Sequence, residues 1–66
     1  MPLITFESGK LTDDMKAELI RRLTEVSAEI TGIPAASFFI SIRELPEENI
    51  AIGGKSVKDI KKGLGL

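Results

Sequence analysis

Cysteine and histidine are both missing from this chain. Their absence excludes disulfides, thiol nucleophiles, zinc fingers, haem attachment and every histidine-based catalytic triad. Tyrosine and tryptophan are missing too, so the rings best suited to stacking on nucleic-acid bases are not available. Neither sign of charge dominates. Nine Lys and Arg stand against ten Asp and Glu, for a net charge of −1. That balance offers no electrostatic footprint for nucleic acid or an anionic membrane. No apolar run approaches the roughly 20 residues of a membrane span. The opening Met1-Pro2-Leu3-Ile4-Thr5-Phe6-Glu7 lacks the basic segment of a secretion signal. Together these absences predict a cytoplasmic protein with no nucleic-acid and no membrane partner.

What is present is a globular composition, 42% apolar and 29% charged, in 66 residues. That length predicts a single domain spanning 1–66. A domain this small buries only about 60% of the surface that its unfolded chain exposes. The usual remedies are disulfides, a metal or self-association. No Asp or Glu cluster has the spacing of a metal site. Self-association is therefore the expected remedy.

The local pattern reads clearly. Leu3-Ile4-Thr5-Phe6-Glu7 is a β-prone run closed by Ser8-Gly9. Thr12 is a helix N-cap, with Asp13 and Asp14 in the first turn. Met15, Leu19, Leu23, Val26 and Ile30 then form one helical stripe, and Gly32 followed by Pro34 ends it. Ala36 to Glu44 predicts a second strand, with Phe38, Ile40 and Ile42 on one face and Phe39, Ser41 and Arg43 on the other. Strand, helix, strand implies a parallel pair joined by a crossover. Parallel sheets are covered on both faces, so the face bearing Phe39, Ser41 and Arg43 should meet another subunit. Ile50-Ala51-Ile52 predicts a short strand, Gly53-Gly54 a tight turn, and Ser56 to Lys62 a capped helical segment. Residues 63–66 are expected to fray.

Several sequence features invite chemistry and fail. Gly54-Lys55-Ser56 resembles the end of a phosphate loop, but the required earlier glycine is Asn49. Lys55, Lys58, Lys61 and Lys62 read as a solvated face, and Glu47-Glu48 as solvated loop carboxylates. Position 2 is different. Removal of Met1 would leave Pro2 with a secondary amine in place of an amide. An α-amino group has a pKa of about 7.7–8.0, and burial or nearby cations lower it, which suits a general base.

Pro2 opening a strand, Gly9-Lys10-Leu11-Thr12 leading into the helix, Ile33-Pro34 after it, and Ile50-Ala51-Ile52-Gly53-Gly54 late in the chain occur in one order. This combination resembles the 4-oxalocrotonate tautomerase family, from Pro2 to about Lys62. The resemblance implies an α+β fold: a β-α-β protomer with parallel strands, one long helix and a short C-terminal hairpin. It implies an isomerase that shifts a proton in 2-hydroxydienoate or enol acids such as 2-hydroxymuconate. Pro2 would be the catalytic base, with no metal and no cofactor. It also implies a homo-oligomer, a hexamer built as a trimer of dimers, with sites at subunit boundaries.

The chain departs from the family pattern at supporting positions. The arginine that the family places before the helix is matched by Lys10 or Leu11, and its arginine in mid-strand two by Phe39. Arg43 lies four residues further on the same face, about 13 Å along the strand. The aromatic residue before Ile-Gly-Gly is Ile50. Lys10 and Arg43 are the candidates for substrate carboxylate binding, against an exposed lysine and an ion pair with a neighbour's Glu44 or Glu47. Phe39 and Ile50 are candidates for an apolar pocket wall, with interface packing as the alternative for Phe39. Two further readings stay open: another proline-based reaction, keto–enol tautomerisation or dehalogenation, and a non-catalytic oligomeric binding module. Sedimentation should give a mass several times the 7.2 kDa of one chain; a stable folded monomer at micromolar concentration would contradict the architecture.

Overall fold

The computed structural model describes residues 1–65. Its longest element, helix α1, runs Asp13–Thr31 and starts and stops where its caps dictate. The Thr12 hydroxyl accepts from the Met15 N–H at 3.1 Å, satisfying one of the orphan donors of the first turn. Gly32 closes the helix at φ 74°, a left-handed conformation that a residue with a Cβ resists, and its N–H returns to the Ala28 carbonyl. Arg21 bridges Glu18 and Glu25, and Arg22 also reaches Glu18, all on the exposed side of the helix.

Strand β1, Leu3–Ser8, pairs in parallel with β2, Phe39–Glu44. The register sets Leu3 beside Phe39, Ile4 beside Ile40, Phe6 beside Ile42 and Glu7 beside Arg43. Alternation along β1 then sorts the faces. Ile4 and Phe6 are half-buried, whereas Leu3, Thr5 and Glu7 are exposed. The second strand begins at Phe39 and not at the expected Ala36, because Pro34 starts a 3-10 turn over Ala35–Ser37. The N–H groups of Ser37 and Phe38 bond back to Pro34 and Ala35, which takes those donors away from any ladder.

Beyond β2 a second 3-10 turn, Glu47–Asn49, leads to a hairpin of β3, Ala51–Ile52, and β4, Lys55–Ser56. Gly53 and Gly54 form its tip at φ 58° and 86°, a turn that needs positive φ at both central residues. Ser56 caps helix α2, Val57–Gly63, through the Asp59 N–H. At the end of this helix the Leu64 N–H bonds the Ile60 and Lys61 carbonyls; Leu66, in the segment expected to fray, lies outside the described residues. Lys61 pairs with Glu47, and Val57 N–H with the Ile50 carbonyl, so this arm folds on its own root.

The protomer spreads widely for its mass. Its radius of gyration is 15.5 Å, against about 11 Å for a compact chain of this length. It exposes 5191 Å², against about 4,100 Å² for a compact monomer of its mass. No described side chain is fully buried. Of the helical stripe, Leu19 and Leu23 are half-buried, while Met15, Val26 and Ile30 remain exposed. A sheet of two short strands is too small to bury the whole stripe of a 19-residue helix. On the other side of the sheet Leu3 and Phe39 stay 66% and 51% exposed. Among the described residues no helix is long and apolar enough to cross a membrane.

The turn between β1 and α1 is pinned from β2. Glu44 accepts from the Leu11 N–H at 2.8 Å and from Lys16 Nζ at 2.9 Å. Those partners, Lys16 first, hold its carboxyl below the ordinary glutamate value. A depressed folded pKa stabilises the fold above the unfolded value of about 4.3, and that support is lost as pH falls through the folded value. Glu44→Gln should therefore remove acid sensitivity from the exchange of the Leu11 amide, measured by hydrogen exchange between neutral and acid pH.

Candidate active site

Pro2 sits at the mouth of the parallel sheet. Its carbonyl accepts from the Phe39 N–H at 2.9 Å, extending the ladder by one bond beyond Leu3. That bond places Pro2 against the first residue of β2 and the turn that precedes it. Together Met1, Pro2, Ile33, Ala36, Ser37 and Phe39 line an open depression of about 540 Å³. Met1 projects from it, 92% exposed, so the bond between Met1 and Pro2 lies within reach of an aminopeptidase.

The walls have a simple chemistry. Ile33 and Ala36 come from the connection after α1, and Phe39 from the outer face of β2. Ser37 is the one lining residue with a polar side chain, and no side-chain hydrogen bond within the described residues engages its hydroxyl. No charged side chain lines the depression.

The remaining candidates lie elsewhere in the same protomer. Lys10 follows the far end of β1, whose six residues put about 20 Å of strand between it and Pro2. It contributes to the positive field on Glu44. Arg43 shares the outer face with Phe39 but pairs with Glu7 of its own chain at 3.7 Å. Within the chain Glu44 pairs with Lys16 and Glu47 with Lys61. Ile50 lies beyond the far end of β2, where its carbonyl anchors the start of α2. The protomer thus brings Pro2 and Phe39 together and keeps Lys10, Arg43 and Ile50 apart from them. Ile33, Ala36 and Ser37 were not singled out from the sequence. The Pro34-Ala35-Ala36 run, which favours a turn over a strand, was the available signal. Among the described residues no three Asp or Glu side chains gather as metal ligands.

Comparison with known proteins gives a consistent picture. The sequence model of a family described as tautomerase enzyme matches residues 2–60. The chain is 30% identical over 63 residues to 2-hydroxymuconate tautomerase of Bacillus subtilis, covering 92% of this chain and all of that one. The crystal structure of DmpI from Archaeoglobus fulgidus superposes with a TM-score of 0.82 at 40% identity, covering 88% of this chain and 100% of that chain. A heterohexamer 4-oxalocrotonate tautomerase from Chloroflexus aurantiacus superposes at 0.80 with 27% identity, covering 91% of this chain and 97% of that chain.

The exposed Arg43–Glu7 pair is of the kind worth about 0–1 kcal/mol. Arg43→Ala should shift thermal stability by no more than that. A loss of turnover of tenfold or more in a variant of unchanged stability would mark Arg43 as serving a site on a neighbouring copy, whereas unchanged turnover would leave it a surface pair.

Proposed function

The chain belongs to the tautomerase enzyme family, and we propose that it is an isomerase of enol acids in which the Pro2 nitrogen, freed by removal of Met1, is the general base. The observation that supports this best is the seating of Pro2. Its carbonyl is tied to Phe39, and its ring lines an uncharged depression half enclosed by Ile33, Ala36 and Phe39. A nitrogen held there is oriented by the sheet and partly shielded from water, the two conditions that make an amine useful near neutral pH.

The reaction moves one proton. The free amine takes it from the enol hydroxyl; the oxygen's electron pair forms the C2 carbonyl, the C2–C3 π pair moves between C3 and C4, and the C4–C5 π pair moves to C5. That carbon recovers the proton from the ammonium, so base and substrate atoms balance. The developing negative charge and the substrate carboxylate call for a cation, and the Pro2 depression contains none. Lys10 or Arg43 of an adjoining copy supplies it. A homo-oligomer built as a trimer of dimers would cover the Leu3 and Phe39 face and complete the site; the Chloroflexus relative is a heterohexamer. The substrate class follows the Bacillus relative's name, a 2-hydroxydienoate of the 2-hydroxymuconate type.

Mass spectrometry of the active protein should show Met1 absent. The kcat/KM for enol-acid conversion should fall as pH drops through the amine pKa, because only the unprotonated nitrogen accepts the proton. Pro2→Ala should lower kcat by about 10²–10⁴-fold with the circular dichroism spectrum unchanged. Equal rates for both proteins, or full activity with Met1 retained, would refute the assignment.

A further inference from the structure

The turn between β1 and α1 hangs from a single side chain. Ser8 ends β1 beside Glu44, and the Leu45 N–H bonds the Ser8 carbonyl at 2.8 Å as the last rung of the ladder. Thr12 then caps α1. Among the described residues the backbone between them, residues 9–11, makes one hydrogen bond, from the Leu11 N–H to Glu44 Oε2 at 2.8 Å. Gly9 adds conformational freedom to this stretch. The other oxygen of Glu44, Oε1, accepts from Lys16 Nζ at 2.9 Å. With side chains 30% and 33% exposed, Lys16 and Glu44 form the least exposed ion pair among the described residues. One carboxylate thus joins the end of β2, the turn and the start of the helix.

The turn carries a second lysine with a different fate. Lys10 is exposed, and among the described residues it makes no ion pair. It still adds to the positive field on Glu44. Two ammonium groups therefore compete for one carboxylate, and Lys16 holds it. Arg43, the other candidate cation, is engaged by Glu7.

We infer that Glu44 and Lys16 are positioning residues for the proposed reaction: Glu44 fixes the peptide joining Lys10 to Leu11, and Lys16, by occupying Glu44, leaves Lys10 unpaired for the substrate carboxylate in the site of an adjoining copy. This rests on the reading in which Lys10 supplies the cation for Pro2. A lysine on a fixed backbone loses less freedom when an anion binds than one on a loose turn. A contact to a carboxylate that does not react is made alike in the ground state and the transition state, so its loss raises KM and leaves kcat unchanged. The two residues act in different ways. Without the Glu44 carboxylate the turn loosens. Without Lys16 the turn bond remains, but Lys10 is then the remaining cation in the field of Glu44 and pairs with it instead of the ligand.

The test measures steady-state conversion of 2-hydroxymuconate and calorimetric binding of muconate, an unreactive dicarboxylate, by the assembled protein. Lys10→Met should raise KM and the muconate Kd about tenfold, the loss of one charge-assisted contact, with kcat changed by less than about twofold. Glu44→Ala and Lys16→Met should each raise both constants about fivefold, whereas Glu44→Gln, whose amide oxygen still accepts from the Leu11 N–H, should stay within about twofold of wild type. In a Lys10→Met background neither Glu44→Ala nor Lys16→Met should raise them further. A merely structural role would instead lower the melting temperature and kcat at unchanged KM, equally in both backgrounds. If Glu44→Ala does not assemble, Lys16→Met and its double variant carry the test. Constants raised by Lys10→Met but unmoved by Glu44→Ala and Lys16→Met, or effects that add in the double variants, would overturn the inference and leave Lys10 in the site. Unchanged constants in Lys10→Met, or no muconate binding by wild type, would overturn it together with the role of Lys10, while a rate loss in Pro2→Ala would still stand for the base. If Pro2→Ala turns over like wild type, the base fails and the muconate titrations still decide the positioning.

Discussion

One hydrogen bond starts the architecture: the Phe39 N–H to the Pro2 carbonyl, at 2.9 Å. It is the first rung of a parallel ladder whose register carries Leu3 beside Phe39 at one end and Ser8 beside Glu44 at the other. Because the strands are parallel, everything preceding β1 must sit beside everything preceding β2. The beginning of the chain and the turn after Pro34 therefore share one end of the sheet, and the Glu44 anchor of the β1–α1 turn shares the opposite end. A different register would separate Pro2 from Phe39 and reverse which face of β1 meets the helix.

The same sheet explains why the protomer is incomplete. Two strands have two faces, and α1 covers one of them. Leu3 and Phe39 stay open on the other, and Met15, Val26 and Ile30 stay open along the helix flank. The hairpin and α2 extend away from this body and fold on the turn over residues 47–49. The surface exceeds that of a compact monomer of this mass by about 1,000 Å².

Much of the fold was legible in residue order. The Thr12 cap, the helix to Thr31 and the left-handed Gly32 follow from side-chain chemistry acting within a few residues. So do the paired positive φ values at Gly53 and Gly54 and the Ser56 cap. Alternation in β2 set Ile40 and Ile42 opposite Phe39 and Arg43, and the structure leaves the first pair half-buried and the second exposed. The start of β2 was less legible, since Ala36 and Ser37 fit the alternating pattern and only their local turn bonds remove them from the strand. The helical stripe was legible as a stripe but not in how little of it a two-stranded sheet would cover.

The sequence by itself determined where the helix begins and ends and where the glycine turn falls. Those features depend on forces that act over a few bonds or one helical turn. Only the tertiary structure decided that Pro2 meets Phe39, Ile33 and Ser37, while Lys10 and Arg43 lie at the other end of the sheet. That outcome depends on the parallel register of strands more than 30 residues apart, and hydrogen bonds between such distant segments leave no local signature in either one.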